Sequence, residues 1–129
     1  MRVYVESSAA AKLLTEEPES AALSRYLDEI ASHTPILSSL LVETELRRLA
    51  VRANIDQIDV TTVIVRFGFV DLDPSCYRQA GLLPGPNLRS LDAIHVAAAL
   101  RGGADSMITY DQRQADAALA VGLYVVAPT

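Results

Sequence analysis

The chain has 129 residues, half of them apolar, and carries a formal charge of −5 at pH 7. This length and composition predict one globular domain over residues 1–129 that buries its own core, and they argue against a disordered or fibrous chain. The negative charge argues mildly against non-specific binding to nucleic acid, which depends on neutralising phosphates. However, Lys12 is the only lysine among eleven cationic residues, and arginine is the side chain best suited to bidentate phosphate contacts.

The single cysteine and the lack of long apolar segments indicate the cellular setting. Cys76 has no partner for an internal disulfide, which fits a reducing cytoplasm, and a lone cysteine in an apolar chain is typically a buried filler. No secretory signal pattern opens the chain, and the apolar run over residues 60–70 is short and broken by Arg66. We therefore expect a soluble, cytoplasmic protein without a membrane segment.

Short β-favouring runs alternate with helical patterns along the N-terminal half. Pro18 suits the first turn of the second helix, and Ser39 is the expected cap of the third. The third helix has an apolar stripe at helical spacing, formed by Val42, Leu46, Leu49 and Ala53. The predicted elements are strands at 2–5 and 35–38 and helices at 9–14, from Pro18, at 38–53 and at 55–65.

The C-terminal half continues the alternation. A loop over residues 83–87 precedes a helix for which Asn87 is the expected cap and Gly102-Gly103 the expected stop. The apolar stripe of that helix is Leu88, Leu91, Ile94, His95 and Ala98. The other predicted elements are strands at 67–72, 106–110 and 124–126 and helices at 73–81 and 112–120. This order predicts an α/β fold with a small parallel sheet, right-handed crossovers and flanking helices.

Two acids directly follow predicted strands. Asp111 comes after the strand at 106–110, and Glu6 comes after the strand at 2–5. In a parallel sheet, polar residues just past the carboxyl ends of strands face the crevice where ligands bind. Glu6 taken alone is also explained as a helix cap, because acids and serines satisfy free backbone N–H groups there.

Two further acids lie on predicted helices. Asp92 is in the opening turns of its helix, from which it can reach Asp111. Glu45 is four residues from both Leu41 and Leu49, at the edge of a buried face, whereas Glu43 should point towards solvent. The simple alternative for Glu45 is a surface ion pair with its neighbour Arg48, worth a few tenths of a kcal/mol.

The four acids Glu6, Glu45, Asp92 and Asp111 are therefore candidates for one site. Convergent carboxylates without lysines to pair with them repel each other unless a cation neutralises them. Hard oxygen ligands favour Mg²⁺ or Mn²⁺ over zinc. Such a metal site lowers the pKa of a bound water and clamps the oxygens of a scissile phosphate.

The most specific motifs of the chain are LRSLDAIHVAAAL around Asp92, ITYDQR with Thr109 and Asp111, and the strand-acid-Ser-Ser-Ala opening around Glu6. Together they resemble one known family, the PIN-domain ribonucleases, and within it the VapC toxins of toxin–antitoxin pairs. SSLLVETELRRL around Glu45 is a looser match, and the closing GLYVVAP is a further one. The resemblance covers nearly the whole chain and implies a PIN-like, Rossmann-like three-layer fold.

The resemblance implies a metal-dependent endoribonuclease that hydrolyses RNA phosphodiester bonds by metal-activated water, with Mg²⁺ or Mn²⁺ as cofactor. It also implies neutralisation by a cognate VapB-type antitoxin and assembly as a homodimer. By motif, the catalytic and metal-binding quartet is Glu6, Glu45, Asp92 and Asp111, with Ser8 and Thr109 as supporting hydroxyls. Candidates for guiding the RNA are Arg48, Arg52, Arg89 and Arg113, each of which has a solvated surface charge as its simpler interpretation.

One position departs from the family pattern, which has Asp where this chain has Glu6. The extra methylene is compatible with a tolerated natural variant, a weakened or inactive enzyme, or a substitution introduced for production. A PIN domain that only binds RNA or antitoxin is thus an alternative. A receiver-like phosphoacceptor domain is another, but it needs a late lysine, and Lys12 lies in the first helix.

Overall fold

Five short strands form one parallel sheet, and seven helices flank it, in the computed structural model, which describes residues 1–129. The strands are β1 (Val3–Val5), β2 (Ile36–Ser39), β3 (Gly68–Val70), β4 (Ser106–Ile108) and β5 (Tyr124–Val126). The helices are α1 (Ser7–Leu14), α2 (Ser20–Ile30), α3 (Leu40–Ala53), α4 (Gln57–Ile64), α5 (Pro74–Gly81), α6 (Ser90–Arg101) and α7 (Gln112–Ala120). The predicted α/β architecture is confirmed.

The order of the strands places β1 at the centre of the sheet. The order is β3-β2-β1-β4-β5, and every neighbouring pair is parallel. The chain thus builds outward from β1 to β3, and then returns to the other side of β1 with β4, where Val5 pairs with Ile108. In open α/β sheets, such a reversal leaves a crevice at the carboxyl ends of the two strands, and ligands bind there.

Helices cover both faces of the sheet. Val3 and Val5 point into one core with Leu27 of α2 and Leu46 of α3, whereas Tyr4 points into a second core formed with α6 and α7. Side chains alternate between the two faces along a strand, so β1 is buried on both sides. This is the three-layer arrangement that the sequence predicts.

One helix, α6, differs from the prediction in its N-cap and in its buried face. Helix α6 begins at Ser90, with Arg89 rather than Asn87 at its N-cap position, and Leu91 is 51% exposed. His95 and Ala98 of the predicted stripe are buried, but Val96, Ala97 and Ala99 are buried as well, because α5, α7 and the sheet enclose the helix on several sides. None of the helices combines the length and apolarity that crossing a membrane requires.

Candidate active site

The fold brings the four candidate acids to the carboxyl edge of the sheet. Glu6 follows β1, and Asp111 lies three residues beyond the end of β4. Asp92 is in the first turn of α6, which leads into β4 and therefore has its N-terminus at this edge. Glu45 is in the second turn of α3, which begins where β2 ends. All four therefore lie around the crevice between β1 and β4.

Glu6 is buried and is the cap of α1, so the simpler interpretation of this acid is confirmed. Its Oε1 accepts hydrogen bonds from Ser8 N at 2.9 Å and Thr109 Oγ1 at 2.7 Å, and also from Ser8 Oγ. Its Oε2 accepts none from the protein. Capping therefore occupies one carboxylate oxygen and leaves the other available to a ligand.

Ser8 and Thr109 also join the two strand ends to each other. Tyr110 N donates to Ser8 Oγ at 2.9 Å, and Asp111 N donates to Thr109 Oγ1 at 3.1 Å. The two hydroxyl oxygens are 3.3 Å apart. The segment after β1 and the segment after β4 are thus held together by side chains that also contact Glu6.

Asp111 is exposed and caps α7, with Oδ1 accepting from Arg113 N at 2.9 Å and Gln114 N at 3.2 Å. Its Oδ2 accepts no hydrogen bond from the protein. Gln114 is fully buried, and its Nε2 donates to the main-chain oxygen of Asp92 at 3.1 Å. The side chain of Gln114, which the sequence did not single out, therefore ties the first turn of α7 to the first turn of α6.

Asp92 is partly buried, and its side chain accepts no hydrogen bond. Burial and then the nearby charge of Asp111 raise the pKa of Asp92, and Glu45 adds to the effect, whereas His95 and Arg89 oppose it. The charges of Asp111 and Glu45 are therefore close enough to Asp92 to disfavour its ionised form. Such repulsion favours a cation at this place.

Glu45 is held by two donors, because Ser7 Oγ donates to its Oε1 at 2.7 Å and His95 Nε2 does so at 2.8 Å. Burial acts to raise the pKa of Glu45, but the hydrogen bonds from His95 and Ser7 lower it below its ordinary value. The alternative of an ion pair with Arg48 is wrong, since the side chain that contacts Glu45 in its place is His95. Glu43 instead pairs with Arg47 at 2.8 Å.

His95 is the main feature of the site that sequence reasoning missed. It is only 2% exposed, and its Nδ1 lies 3.0 Å from Tyr4 Oη, which lies 2.8 Å from Ser39 Oγ. The sequence placed His95 on an apolar stripe and gave it no role. The available signal was its position three residues after Asp92, one helical turn along the same side of α6.

The donor chemistry of the site fits a hard divalent cation. Glu6, Glu45 and Asp111 each keep one oxygen without a hydrogen bond from the protein, and Asp92 keeps both; carboxylate oxygens are ligands that Mg²⁺ prefers. As the side chains lie, no group of three or more His, Cys, Asp or Glu residues is close enough to hold a metal ion. The ligands are thus present at one edge, but they are not closed around a single point.

Two of the four candidate arginines line a cleft that contains one acid, Asp116, but none of the four candidate acids. Arg89 and Arg113 face a cleft of about 730 Å³ between α7 and the loop from Pro84 to Leu88. Arg48 and Arg52, both on α3, are exposed and do not line it. None of the four side chains forms an ion pair, so Arg89 and Arg113 are free to bind an anion in the cleft.

Comparisons with known proteins agree with this architecture. The family model described as PIN domain matches residues 3–119. Ribonuclease VapC35 of Mycobacterium tuberculosis is 39% identical over 132 residues, covering 98% of this chain and 96% of the relative. Ribonuclease VapC46 of the same species is 39% identical over 136 residues, covering 98% of each chain.

Solved structures share the fold at low sequence identity. A chain in the crystal structure of VapBC2 from Rickettsia felis, bound to a DNA fragment from its promoter, has a TM-score of 0.76 with 14% identity over the whole of both chains. A chain of VapBC-1 from nontypeable Haemophilus influenzae has a TM-score of 0.70 with 13% identity, covering 98% of each. From the family match and the close relatives, the chain belongs to the PIN-domain family, among the VapC ribonucleases.

Proposed function

We propose that the chain is the ribonuclease toxin of a toxin–antitoxin pair and that it hydrolyses RNA phosphodiester bonds with Mg²⁺ or Mn²⁺. Family membership supports the activity, since its relatives are VapC ribonucleases. The observation that carries the proposal is the set of four carboxylates at the carboxyl edge of β1 and β4, each with a free oxygen. Ribonucleases of this family depend on divalent metal, and this set supplies hard oxygen ligands.

In the proposed mechanism, Glu6, Asp92 and Asp111 would hold the cation, and Glu45 would either share in this or orient the attacking water. The chemistry that a bound cation would supply is a lowered pKa of that water and neutralisation of charge on the phosphate. Ser8 and Thr109 keep Glu6 Oε1 fixed through their hydrogen bonds. This leaves Glu6 Oε2 as the oxygen that faces the reaction.

The RNA backbone is proposed to approach along the cleft that Arg89 and Arg113 line. Guanidinium groups bind phosphate bidentately, and neither arginine is already paired with an acid. Arg89 is three residues before Asp92, and Arg113 is two residues after Asp111, so the cleft adjoins the segments that carry two of the four acids. Arg48 and Arg52 would contact RNA only if the RNA strand continued along α3.

The proposed partners are a VapB-type antitoxin and a second copy of the chain. The solved VapBC structures share this fold, which supports the first. Exposed apolar side chains on α3 and near α4 support the second: Val51 is 57% exposed, Ile58 70% and Val65 72%. We also propose that residues 1–129 act as one domain and that it works in the cytoplasm, where a single unpaired cysteine is expected.

The test is RNA cleavage by Asp92→Asn. We expect at least a 100-fold loss of metal-dependent cleavage with an unchanged circular dichroism spectrum, because the substitution removes a ligand charge but preserves shape. Asp71→Asn is the matched control, since Asp71 also follows a strand, but follows the edge strand β3. Full activity in Asp92→Asn would overturn the site assignment.

One observation supports the alternative of a domain that only binds RNA or antitoxin. This chain has Glu6 where the family has Asp. The receiver-like alternative is wrong, because the chain belongs to the PIN-domain family. The late lysine that such a domain needs is also missing, since the one lysine, Lys12, lies in α1 and pairs with Glu17 at 3.1 Å and Glu19 at 3.0 Å.

A further inference from the structure

A series of hydrogen bonds connects the sheet to Glu45 through Ser39, Tyr4 and His95. Ser39 Oγ, at the end of β2, is 2.8 Å from Tyr4 Oη, and Tyr4 Oη is 3.0 Å from His95 Nδ1. His95 Nε2 then reaches Glu45 Oε1 at 2.8 Å. Ser39, Tyr4 and His95 are almost wholly buried, whereas Glu45 is partly open to solvent. This series of hydrogen bonds therefore connects the centre of the sheet to one of the four acids.

Glu45, at the end of this series, determines which atom of each hydrogen bond is the donor. An ionised carboxylate only accepts hydrogen bonds, so His95 Nε2 must carry the hydrogen that points at Glu45 Oε1. In a neutral ring, Nδ1 is then an acceptor, which Tyr4 Oη satisfies by donating, while Ser39 donates to Tyr4. The polar side-chain atoms of Ser39, Tyr4 and His95 thus each have a hydrogen-bond partner, as expected for buried polar groups.

The orientation of the His95 ring is set from the sheet side. The Tyr4 and His95 rings meet edge to face, with centroids 6.0 Å apart and planes at 63°. Tyr4 is itself immobilised in β1, which has a hydrogen-bonded neighbour on either side. His95 therefore cannot rotate without breaking its bond to Tyr4, and it presents Nε2 in one direction.

We propose that His95 is a positioning residue for the ribonuclease reaction, which acts by holding Glu45 Oε1 so that Oε2 is the one oxygen of Glu45 left for a cation or a water. Ser7 supports the same oxygen, donating to it at 2.7 Å. The proposal rests on the proposed function, because it assumes that Glu45 belongs to the catalytic set. It predicts that a side chain with a donor in place of Nε2 preserves the site, whereas an apolar side chain of similar size does not.

The experiment compares His95→Gln, which keeps an N–H donor, with His95→Leu, which keeps the bulk alone. Val96→Ala is the matched control, because Val96 is the next residue of α6 and is fully buried, but it contacts none of the acids by hydrogen bonds. For each protein, kcat and KM are measured on an RNA oligonucleotide that the unaltered chain cleaves, and Mn²⁺ affinity is measured by titration with the metal alone.

The expected result is a fall in kcat or in Mn²⁺ affinity of roughly 10- to 100-fold in His95→Leu, with KM for RNA nearly unchanged. His95→Gln is expected to recover most of that loss. Val96→Ala should lower the melting temperature but keep kcat, measured well below melting. The proposal is overturned if His95→Leu matches Val96→Ala in both readouts, or if folded His95→Gln is as impaired as His95→Leu.

An independent readout is the nitrogen NMR spectrum of the imidazole rings, which is simple because the chain has two histidines. We expect a slowly exchanging Nε2–H signal from His95 that shifts in Glu45→Gln, while exposed His33 serves as an internal reference. Glu45→Gln also separates the two hypotheses. If it cleaves RNA normally, the proposed function fails at Glu45; if it is inactive while His95→Leu is fully active, only the role of His95 fails.

Discussion

Glu6 serves the fold and the proposed chemistry with different oxygens. Oε1 caps α1 and accepts from Thr109, whereas Oε2 accepts no hydrogen bond from the protein. The family's Asp at this position is shorter by one methylene, and productive geometry at a catalytic site must hold within about 0.5 Å. Glu6 is therefore a position at which this chain departs from the geometry expected of a PIN-domain nuclease.

We expect Glu6→Asp to cleave RNA faster than the unaltered chain, by about tenfold, because the shorter carboxylate restores the family geometry at little cost in capping. Glu6→Ala should be inactive and less stable by about 1 kcal/mol, because it loses the cap. The measurements are single-turnover cleavage with Mg²⁺ and Mn²⁺ and urea unfolding. Slower cleavage by Glu6→Asp would contradict the prediction, and cleavage by the Asp form alone would support the binding-only alternative for the natural chain.

Asp92 is expected to destabilise the metal-free fold at neutral pH. Its pKa is raised in the folded state, mainly by burial and then by Asp111. The folded state therefore binds the proton of Asp92 more tightly than the unfolded state, and its contribution to stability is lost as pH rises from the ordinary value of about 3.9 through the raised pKa.

In EDTA at pH 7, Asp92→Asn should therefore be more stable than the unaltered chain, by about 0.5 kcal/mol after allowing for solvent screening. The difference should shrink as pH falls towards 4, and saturating Mg²⁺ should reverse its sign. Urea unfolding at several pH values, with Asp71→Asn as the control, measures this. Equal stabilities in EDTA across the pH range would show that the repulsion at the site is negligible.

Helix α6 links the candidate site to the sheet, and two glycines determine where this helix ends. Gly102 stands at its C-cap beside the sheet, where an added Cβ would lie 2.7 Å from Val70 Cγ2 and 3.0 Å from Leu37 Cδ1. Gly103 follows with a φ of +70°, which glycine adopts at no steric cost. The predicted Gly-Gly stop therefore works both by close packing and by backbone conformation.

Gly102→Ala should lower the free energy of unfolding by about 1–3 kcal/mol, because the methyl group overpacks the junction of α6 with β2 and β3. Gly81→Ala is the control. An added Cβ there meets nothing within 4 Å, and alanine favours the end of α5, so no loss or a small gain is expected. Denaturant unfolding of both variants tests the contrast, and an equal effect of the two substitutions would contradict it.

The order of the helices and strands could be predicted from the sequence, and so could the end of α6 at Gly102, but the N-cap and the full buried face of α6 could not. Alternating strands and helices follow from local periodicity and from Gly and Pro, which are properties of short segments. The cap of α6 and its buried face depend instead on α5, α7 and the sheet, which the local pattern does not report. For this reason Asn87 was wrongly expected to cap the helix, and Leu91 was wrongly expected to be buried.

The candidate site shows the same limit. Glu6 and Asp111 could be found because they follow strands, and the fold alone brings such residues to one edge. His95 and Gln114 could not, because their importance lies in contacts made across 50 residues to Glu45 and across 22 residues to the main chain of Asp92. The sequence carries a signal only for His95, which lies one helical turn after Asp92 on the same side of α6.

At the scale of the whole molecule, an acidic chain can act on a polyanion because its charges are segregated. The candidate acids gather at the crevice where the sheet order reverses, and two unpaired arginines line the cleft beside it. The net charge of −5 therefore says little about the local field that RNA would meet. The central claim is that the four acids form one metal centre.

That claim is tested most directly by Mn²⁺ binding at equilibrium to the unaltered chain and to Glu6→Gln, Glu45→Gln, Asp92→Asn and Asp111→Asn. Glu43→Gln is the control, because Glu43 lies on the same helix as Glu45 but pairs with Arg47. We predict that Asp92→Asn, Asp111→Asn and Glu6→Gln each weaken Mn²⁺ binding at least tenfold, that Glu45→Gln weakens it by a smaller or equal factor, and that Glu43→Gln leaves it unchanged. Binding that survives all four site substitutions, or that is lost equally in Glu43→Gln, would contradict the account.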